Sequence, residues 1–322
     1  MDGAVASERT PLYDAGAPGK VEVIGCADRQ FAVKAMHDMP DAPGSSASWI
    51  LSGFGDEIHT DPIVQVAVLQ ALGASHIEVR GAWGINILSF SDEQIAKLAE
   101  ILTERSMDVS AIASPIGKVD ISLPVEHEVS RLERAVDIAR QVGTRYVRLF
   151  SFYRASDQSP ESIRDDVLTR MRALANVAER SDIVLLHENE KDIYGDTPER
   201  VLDIIESVGS PRLRVAWDSA NFVQVGVQPF RDAFPLLSPY IDYVHVKDAR
   251  FSTGEVTPAG GGDGELGPTI EALAGAGFAG FASLEPHLSS ASQMGGFSGP
   301  FAFGVAARAF RRLAEISGVS LQ

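Results

Sequence analysis

Leu185-Leu186-His187-Glu188-Asn189-Glu190 is the stretch on which the reading of this chain turns. Apolar residues from Ile183 to Leu186 stop abruptly at a polar, acidic cluster, the pattern of a short buried strand ending at Glu188. Three later runs repeat it: Val215-Ala216-Trp217-Asp218, Tyr243-Val244-His245 and Ser283-Leu284-Glu285. The corresponding candidate strands are Ile183–Glu188, Leu213–Asp218, Tyr243–Lys247 and Phe281–Glu285. Upstream, Trp49–Phe54, His76–Arg80, Asp108–Ala113 and Tyr146–Phe150 bring the total to eight. Amphipathic stretches follow them in turn: Pro62–Leu72, Asp92–Arg105, Val125–Val142, Pro160–Glu179, Pro198–Val208, Pro229–Leu237, Thr269–Ala276 and Phe301–Ile316. Thr197-Pro198 resembles an N-cap with proline at the first helical position. Ser91-Asp92-Glu93-Gln94 offers a capping box, and Gly73 and Gly143 stand where helices should end.

Strand–helix alternation implies a parallel sheet with helices outside it. Eight repeats over about 275 residues predict an α/β fold of the closed (β/α)8 TIM barrel type. The competing architecture, a doubly wound open sheet, usually has fewer strands and often a glycine turn that binds nucleotides. Gly53-Phe54-Gly55-Asp56 is too short to be that turn. Residues 1–46 stand outside the rhythm. Met1–Gly19 and Asp38–Ser46 have the Ala, Gly, Pro, Ser and Asp content of linkers. Between them, Lys20–Cys26 and Phe31–Met36 either pair as a small hairpin or belong to a disordered leader. The expected organisation is a short N-terminal extension, 1–46, and one barrel domain, 47–322.

An apolar content of 45% in 322 residues is enough for a sizeable core. The net charge of −16 opposes binding to a phosphate backbone or an anionic membrane, so neither nucleic acid nor membrane is an expected partner. A small neutral or weakly charged substrate fits better. Cys26 is the one cysteine, which excludes an internal disulfide and zinc sites built from several thiolates. Met1–Gly19 lack the basic start and apolar segment of a secretory signal, and no apolar run nears the roughly 20 residues that span a bilayer. A cytoplasmic protein is the simplest expectation, and the sequence leaves room for a homo-oligomer.

In a barrel, chemistry belongs at the C-terminal mouth, on strand ends and the loops after them. Glu188, Asp218, His245 and Glu285 end four consecutive strands, which adjacency brings to one side of that mouth. Singly, an acidic strand end is usually a helix cap or a surface ion pair. Four in succession point to one shared divalent cation. Two Glu, one Asp and one imidazole suit Mn²⁺, Mg²⁺ or Co²⁺, with positions open for substrate oxygens. Zn²⁺ would normally draw more nitrogen ligands.

Period-two alternation places Lys247 on the face of His245, Glu190 on that of Glu188 and His287 on that of Glu285. Lys247 is expected to hold a substrate oxygen or phosphate, or to pair with a carboxylate. Glu190 and His287 either contact substrate or play a supporting polar role. Asn221 either donates to a substrate hydroxyl or caps a turn. Glu78 and Arg80 share a face, as an inward ion pair that positions substrate or as a purely structural one. Trp83 with Asn86, and Phe152 with Tyr153, are candidates for an aromatic wall or for packing. His187, on the opposite face from Glu188, is expected to pack between strand and helix. The glycine-rich run from Val256 to Gly264 folds over the site, presents N–H groups to an anion, or is simply a surface loop.

These motifs together carry a family resemblance. His-Glu-Asn-Glu at 187–190, Trp-Asp-Ser-Ala-Asn at 217–221, Val-His-Val-Lys-Asp at 244–248, the Pro258–Gly264 loop and Ser-Leu-Glu-Pro-His at 283–287 make residues from about 48 to 317 resemble the xylose isomerase-like barrel superfamily. In particular, the chain resembles the sugar phosphate isomerase/epimerase group that includes ketose 3-epimerases. The resemblance implies one Mn²⁺ or similar ion on Glu188, Asp218, His245 and Glu285. It also implies that Glu188 and Glu285 act as acid and base on opposite faces of a sugar or polyol substrate, through a metal-stabilised enediolate. Asn221 departs from the pattern, because ketose epimerases commonly carry His three residues after the Asp ligand. A lyase or hydratase on 3-keto sugars or glycosides, C-glycoside cleavage included, would use the same proton abstraction and then expel a leaving group. The DNA-repair endonucleases of the same superfamily use three zinc ions and therefore many more His ligands; of the seven histidines here four remain for the mouth, His59, His187, His245 and His287, and the charge of −16 opposes DNA. A non-catalytic sugar-binding barrel is opposed by the intact carboxylates.

Overall fold

The computed structural model describes residues 47–292 and 295–322. The extension 1–46, with the hairpin expected inside it, lies outside the described residues. Eight parallel strands curl into the expected barrel: β1 (Ala47–Gly53), β2 (His76–Val79), β3 (Asp108–Ala113), β4 (Tyr146–Leu149), β5 (Val184–Glu188), β6 (Leu213–Asp218), β7 (Ile241–Val246) and β8 (Phe281–Leu284). A ninth, β9 (Val319–Leu321), completes the spatial order β9-β1-β8-β7-β6-β5-β4-β3-β2. The barrel closes where Phe54, just past β1, bridges to Glu78 of β2. The side strands are covered by α1 (Pro62–Ala71), α2 (Asp92–Glu104), α3 (Val125–Val142), α4 (Pro160–Ser181), α5 (Pro198–Val208), α6 (Ser219–Gln224), α7 (Leu266–Gly275) and α8 (Gly299–Ile316).

Helix ends follow local chemistry. Ser91 and Gln94 form a reciprocal capping box at α2, at 2.9 and 3.2 Å. Gly143 ends α3 at φ 79°, a left-handed turn that a side chain would strain. Pro198 opens α5, but the Thr197 side chain makes no capping bond. Inward helix faces carry the spacing of buried positions. Leu132, Ala135, Val136 and Ala139 on α3, and Ile163, Val167, Met171, Leu174 and Ala178 on α4, are all buried. Burying each larger side chain contributes roughly 1.5–3 kcal/mol.

Among the described residues the two larger cores lie one on each side of the strands. The outer core joins Trp49, Leu51, Val79, Leu149, Leu185 and Val215 to the helices. The inner core, Ala111, Val184, Leu186, Ala216 and Tyr243, fills the lower barrel with Tyr146 and Phe281 packed against it. Above it, inward positions turn polar.

The structure departs from the sequence pattern in several places, among them the short helix α6, which was not expected, and the start of α7 at Leu266 rather than Thr269. Strand β7 begins at Ile241, two residues early, because its pairing with β6 starts at Val215–Ile241. The expected helix Pro229–Leu237 is a π turn, Pro229–Ala233, joined to one helical turn, Phe234–Leu237. Pro235 and Pro239 each lack an N–H donor, which prevents a continuous helix here. Strand β9 went unread because three residues carry too little pattern. Among the described residues, no helix is long and apolar enough to cross a membrane.

Candidate metal centre

Alternation along β5–β8 puts Leu186 and Glu188, Ala216 and Asp218, Tyr243 and His245, and Ser283 and Glu285 inward in pairs. The lower member of each fills the barrel and the upper one reaches its mouth. One ligand atom each from Glu188, Asp218, His245 and Glu285 lies within 4.8 Å of the others. All four residues are buried, the most exposed being Glu285 at 3%. His245 Nδ1 lies 3.4 Å from Glu188 Oε1 and 4.0 Å from Glu285 Oε2, yet makes no hydrogen bond. An unpartnered buried imidazole nitrogen aimed at three carboxylates is a donor set that fits a divalent cation.

Each acid is held by its own partners. Glu188 accepts from Arg148 Nη1 at Oε2, 3.0 Å, and from Asn221 Nδ2 at Oε1, 3.1 Å. Burial pushes its carboxyl up, but His245 and Arg148 outweigh burial and bring it down to about 2. Glu285 accepts from Arg80 Nη1 and from Lys247 Nζ, each at 3.2 Å, and its Oε1 lies 3.3 Å from His287 Nε2. Burial again acts upward, and Lys247 and His287 hold this carboxyl well below its usual range. Asp218 lies 2.8 Å from Lys247, but here burial prevails and raises it to about 6. Its Oδ1 accepts from the Asn221 backbone N–H at 2.9 Å, which starts α6 directly at the strand end.

The structure sorts the other candidates. Lys247 bridges Asp218 and Glu285, two members of the four-residue cluster. Glu190 pairs with Lys118 at 2.8 Å on the cavity wall. His287, at φ 47°, places Nε2 3.0 Å from Glu57 and also reaches Glu285. Burial lowers its pKa, but Glu285 outweighs this and raises it to about 9. Glu57, Glu285 and His287 form a second cluster of potential ligands. Arg80 and His287 already supply positive charge there, so a further cation is not needed to balance it.

Glu78 and Arg80 do not pair. Arg80 reaches Asp56 at 2.8 Å, Glu285, and the Gly296 carbonyl at 2.9 Å. Glu78 remains fully buried beneath the site, out of reach of a substrate at the mouth. Asn221 has both amide protons committed, to Glu188 and to the Asn189 carbonyl at 2.8 Å, so it orients the Glu188 carboxylate. Trp83 packs on Phe90 at 5.3 Å and does not line the cavity, and Phe152 is wholly buried. The aromatic at the cavity is Phe150, under Arg148 at 4.5 Å and Lys118 at 4.1 Å. His187 is buried on the strand's outer face, where burial lowers it to about 4. A Cβ at Gly195 would come within 2.5 Å of its ring, so only glycine fits there.

The glycine-rich loop neither binds an outside anion nor hangs free. Asp248 accepts from the backbone N–H groups of Ala249 and Gly264 at one oxygen and of Gly260 and Gly262 at the other, at 2.8–3.0 Å. The N–H groups that could have met a ligand enclose this carboxylate instead. Arg148 escaped the sequence reading, although it is one charged residue between Val147 and Leu149, on the inward phase of a buried strand. Asp56 and Glu57 were missed because nothing in a turn's sequence shows which way its carboxylates face.

Fold and strand-end acids together define a (β/α)8 barrel with a carboxylate-rich mouth. The chain belongs to the xylose isomerase-like TIM barrel family, which it matches over residues 66–312. It is 29% identical over 213 residues to a 2-epi-5-epi-valiolone 7-phosphate 2-epimerase from Actinoplanes sp., covering 65% of this chain and 76% of that protein. It is 22% identical over 178 residues to a 3-dehydroshikimate dehydratase from Bacillus anthracis, covering 55% of this chain and 62% of that protein. In fold it is similar to a crystal structure of the IOLI protein with a bound zinc atom, with a TM-score of 0.69 at 15% identity, over 83% of this chain and 99% of that one.

Proposed function

We propose that this protein is a divalent-metal-dependent isomerase or epimerase acting on a sugar, a sugar phosphate or a related polyol. The observation that carries this reading is the convergence of Glu188, Asp218, His245 and Glu285 to within 4.8 Å at the barrel mouth. The cation would be held by those four residues, and Mn²⁺ fits the oxygen-rich set best. Once bound, it would supply Lewis-acid polarisation of a substrate carbonyl. The chain's own groups do the rest. One of Glu188 and Glu285 removes the proton from the carbon beside the carbonyl, and the other returns one to the opposite face. Arg148 and Asn221 keep Glu188 oriented, while Arg80 and Lys247 do so for Glu285. General acid–base work of this kind typically contributes about 10²–10⁴ in rate. The similarity to a 2-epi-5-epi-valiolone 7-phosphate 2-epimerase supports this substrate class.

A second reading, a dehydratase, is favoured by Lys247 and His287. Both are proton donors beside Glu285 that could protonate a departing hydroxyl, and a dehydratase is among the similar proteins. Incubation with Mn²⁺ and a panel of ketoses, inositol derivatives, sugar phosphates and 3-keto glycosides in D₂O separates the two. Deuterium at one carbon with mass otherwise conserved identifies the epimerase or isomerase; loss of water identifies the dehydratase. Glu188→Gln and Glu285→Gln should each abolish turnover, and near-normal activity in either would refute its assigned role.

A further inference from the structure

Below the mouth runs a line of polar groups that the proposed chemistry leaves unexplained. Ser52 Oγ of β1 lies 2.7 Å from Ser110 Oγ of β3, which lies 2.8 Å from the Tyr243 hydroxyl of β7. Tyr243 donates to Glu78 Oε2 of β2 at 2.9 Å, and Glu78 Oε1 lies 3.2 Å from His245 Nε2. None of the five is more than 1% exposed. Each hydroxyl has one proton, so the direction of the chain is fixed. Tyr243 uses its proton on the carboxylate, Ser110 must then donate to Tyr243, and Ser52 to Ser110. Every dipole in the row points at Glu78, and such chains polarise cooperatively. With Nε2 donating to Glu78, Nδ1 is the His245 nitrogen that faces the acids and is left for a cation.

A carboxylate in the middle of a barrel costs several kcal/mol in lost hydration, and an apolar filling would be the more stable choice. Its position, directly behind the far nitrogen of a ligand imidazole, suggests what that cost maintains. We infer that Glu78, aligned by Tyr243, is a positioning residue that fixes the tautomer and ring orientation of His245 and strengthens its grip on the cation. The inference rests on the metal-dependent reading above, and it moves Glu78 from the substrate contact suggested by sequence to the foundation of the metal centre.

Metal uptake tests it without reference to turnover. Co²⁺ binding would be measured by competition with a chelator and by the visible absorption of the bound ion, in wild type, Glu78→Gln, Tyr243→Phe and the double variant, with His245→Gln as a reference. Groups behind a metal ligand typically contribute 10–100-fold in affinity. Glu78→Gln should therefore bind Co²⁺ about 10–100-fold more weakly, with a shifted absorption band and no loss of thermal stability in the metal-free protein. Tyr243→Phe, which deletes one hydroxyl and keeps the test open should Glu78→Gln misfold, should lose affinity in the same direction. The double variant should be no worse than Glu78→Gln, because the two act in series. Affinity within twofold of wild type and an unchanged spectrum in both single variants would overturn the inference and leave the metal centre standing. A wild type that takes up no Co²⁺ would overturn both.

Discussion

Arg148 shows how much one residue can matter at this site. Its guanidinium is buried against Phe150 and holds Glu188 at 3.0 Å, so it relies on that carboxylate, which itself also has Asn221 and His245 beside it. Breaking a buried pair from one side leaves the remaining charge under-compensated, at a cost of up to about 3–5 kcal/mol. Arg148→Met should destabilise the metal-free protein by up to that amount in urea unfolding. Adding Glu188→Gln to Arg148→Met should recover part of the loss, since the under-compensated carboxylate is then removed. The four strand-end residues were legible in sequence because each closes an apolar run. Arg148 had a fainter signal, one inward charge, and Glu78 and Arg80 were read as partners only because alternation puts them on one face. Alternation gives the direction of a side chain but not its height in the barrel or its reach. Arg80 extends sideways to Asp56 and Glu285, while Glu78 stays below.

At the level of elements, the loop after β7 is rigid by construction. Gly262 and Gly264 approach Asp248 so closely that a Cβ on either would come within 2.5 or 2.6 Å of its Oδ1. The sequence showed too many glycines for a helix, but not that a carboxylate of the same segment would organise them. Asp248→Ala should release four N–H groups and open the loop, read as faster tryptic cleavage at Arg250 with the remainder of the barrel still resistant.

On the outer layer, Asp203 of α5 accepts from Arg164 of α4, from Tyr194 at 2.7 Å and from Ser207 at 3.0 Å. Burial is the largest single influence and raises its pKa, but Arg164, Tyr194 and Ser207 together outweigh it and the carboxyl titrates below its ordinary value of 3.8. Its folded pKa therefore lies below its unfolded one. The stability it contributes is present above the unfolded value and is lost as pH falls through the folded one. Asp203→Asn should remove this part of the acid dependence, seen as a flatter fall of unfolding free energy between about pH 5 and 3 and little pH sensitivity above that.

For the whole molecule, the decisive joint is the seam between β1 and β2. One edge of β1 pairs with β8. The other carries β9 along Ala47–Trp49 before Phe54 meets Glu78. Leu51 N–H donates to the Gln322 carbonyl at 2.8 Å, and Gln322 N–H to that of Trp49 at 2.9 Å. Removing Val319–Gln322 would forfeit these bonds and the burial of Val319, together about 3–5 kcal/mol. That should lower the melting temperature by roughly 6–20 °C in a scanning experiment. The eightfold repeat was readable because each strand–helix unit spans enough residues to show its period. The seam was not, since closure depends on pairings between the two ends of the domain, which periodicity cannot convey.

The parallel pairing of Trp49 with Leu321 also decides how the molecule can be held. Because β9 runs alongside the lower half of β1, a tether attached after Gln322 leaves from near the middle of the barrel wall, well away from the carboxylates. Proteins anchored to a solid support there would be held by the flank of the barrel with the mouth left uncovered, and a surface-coupled assay should lose little accessibility compared with one in free solution.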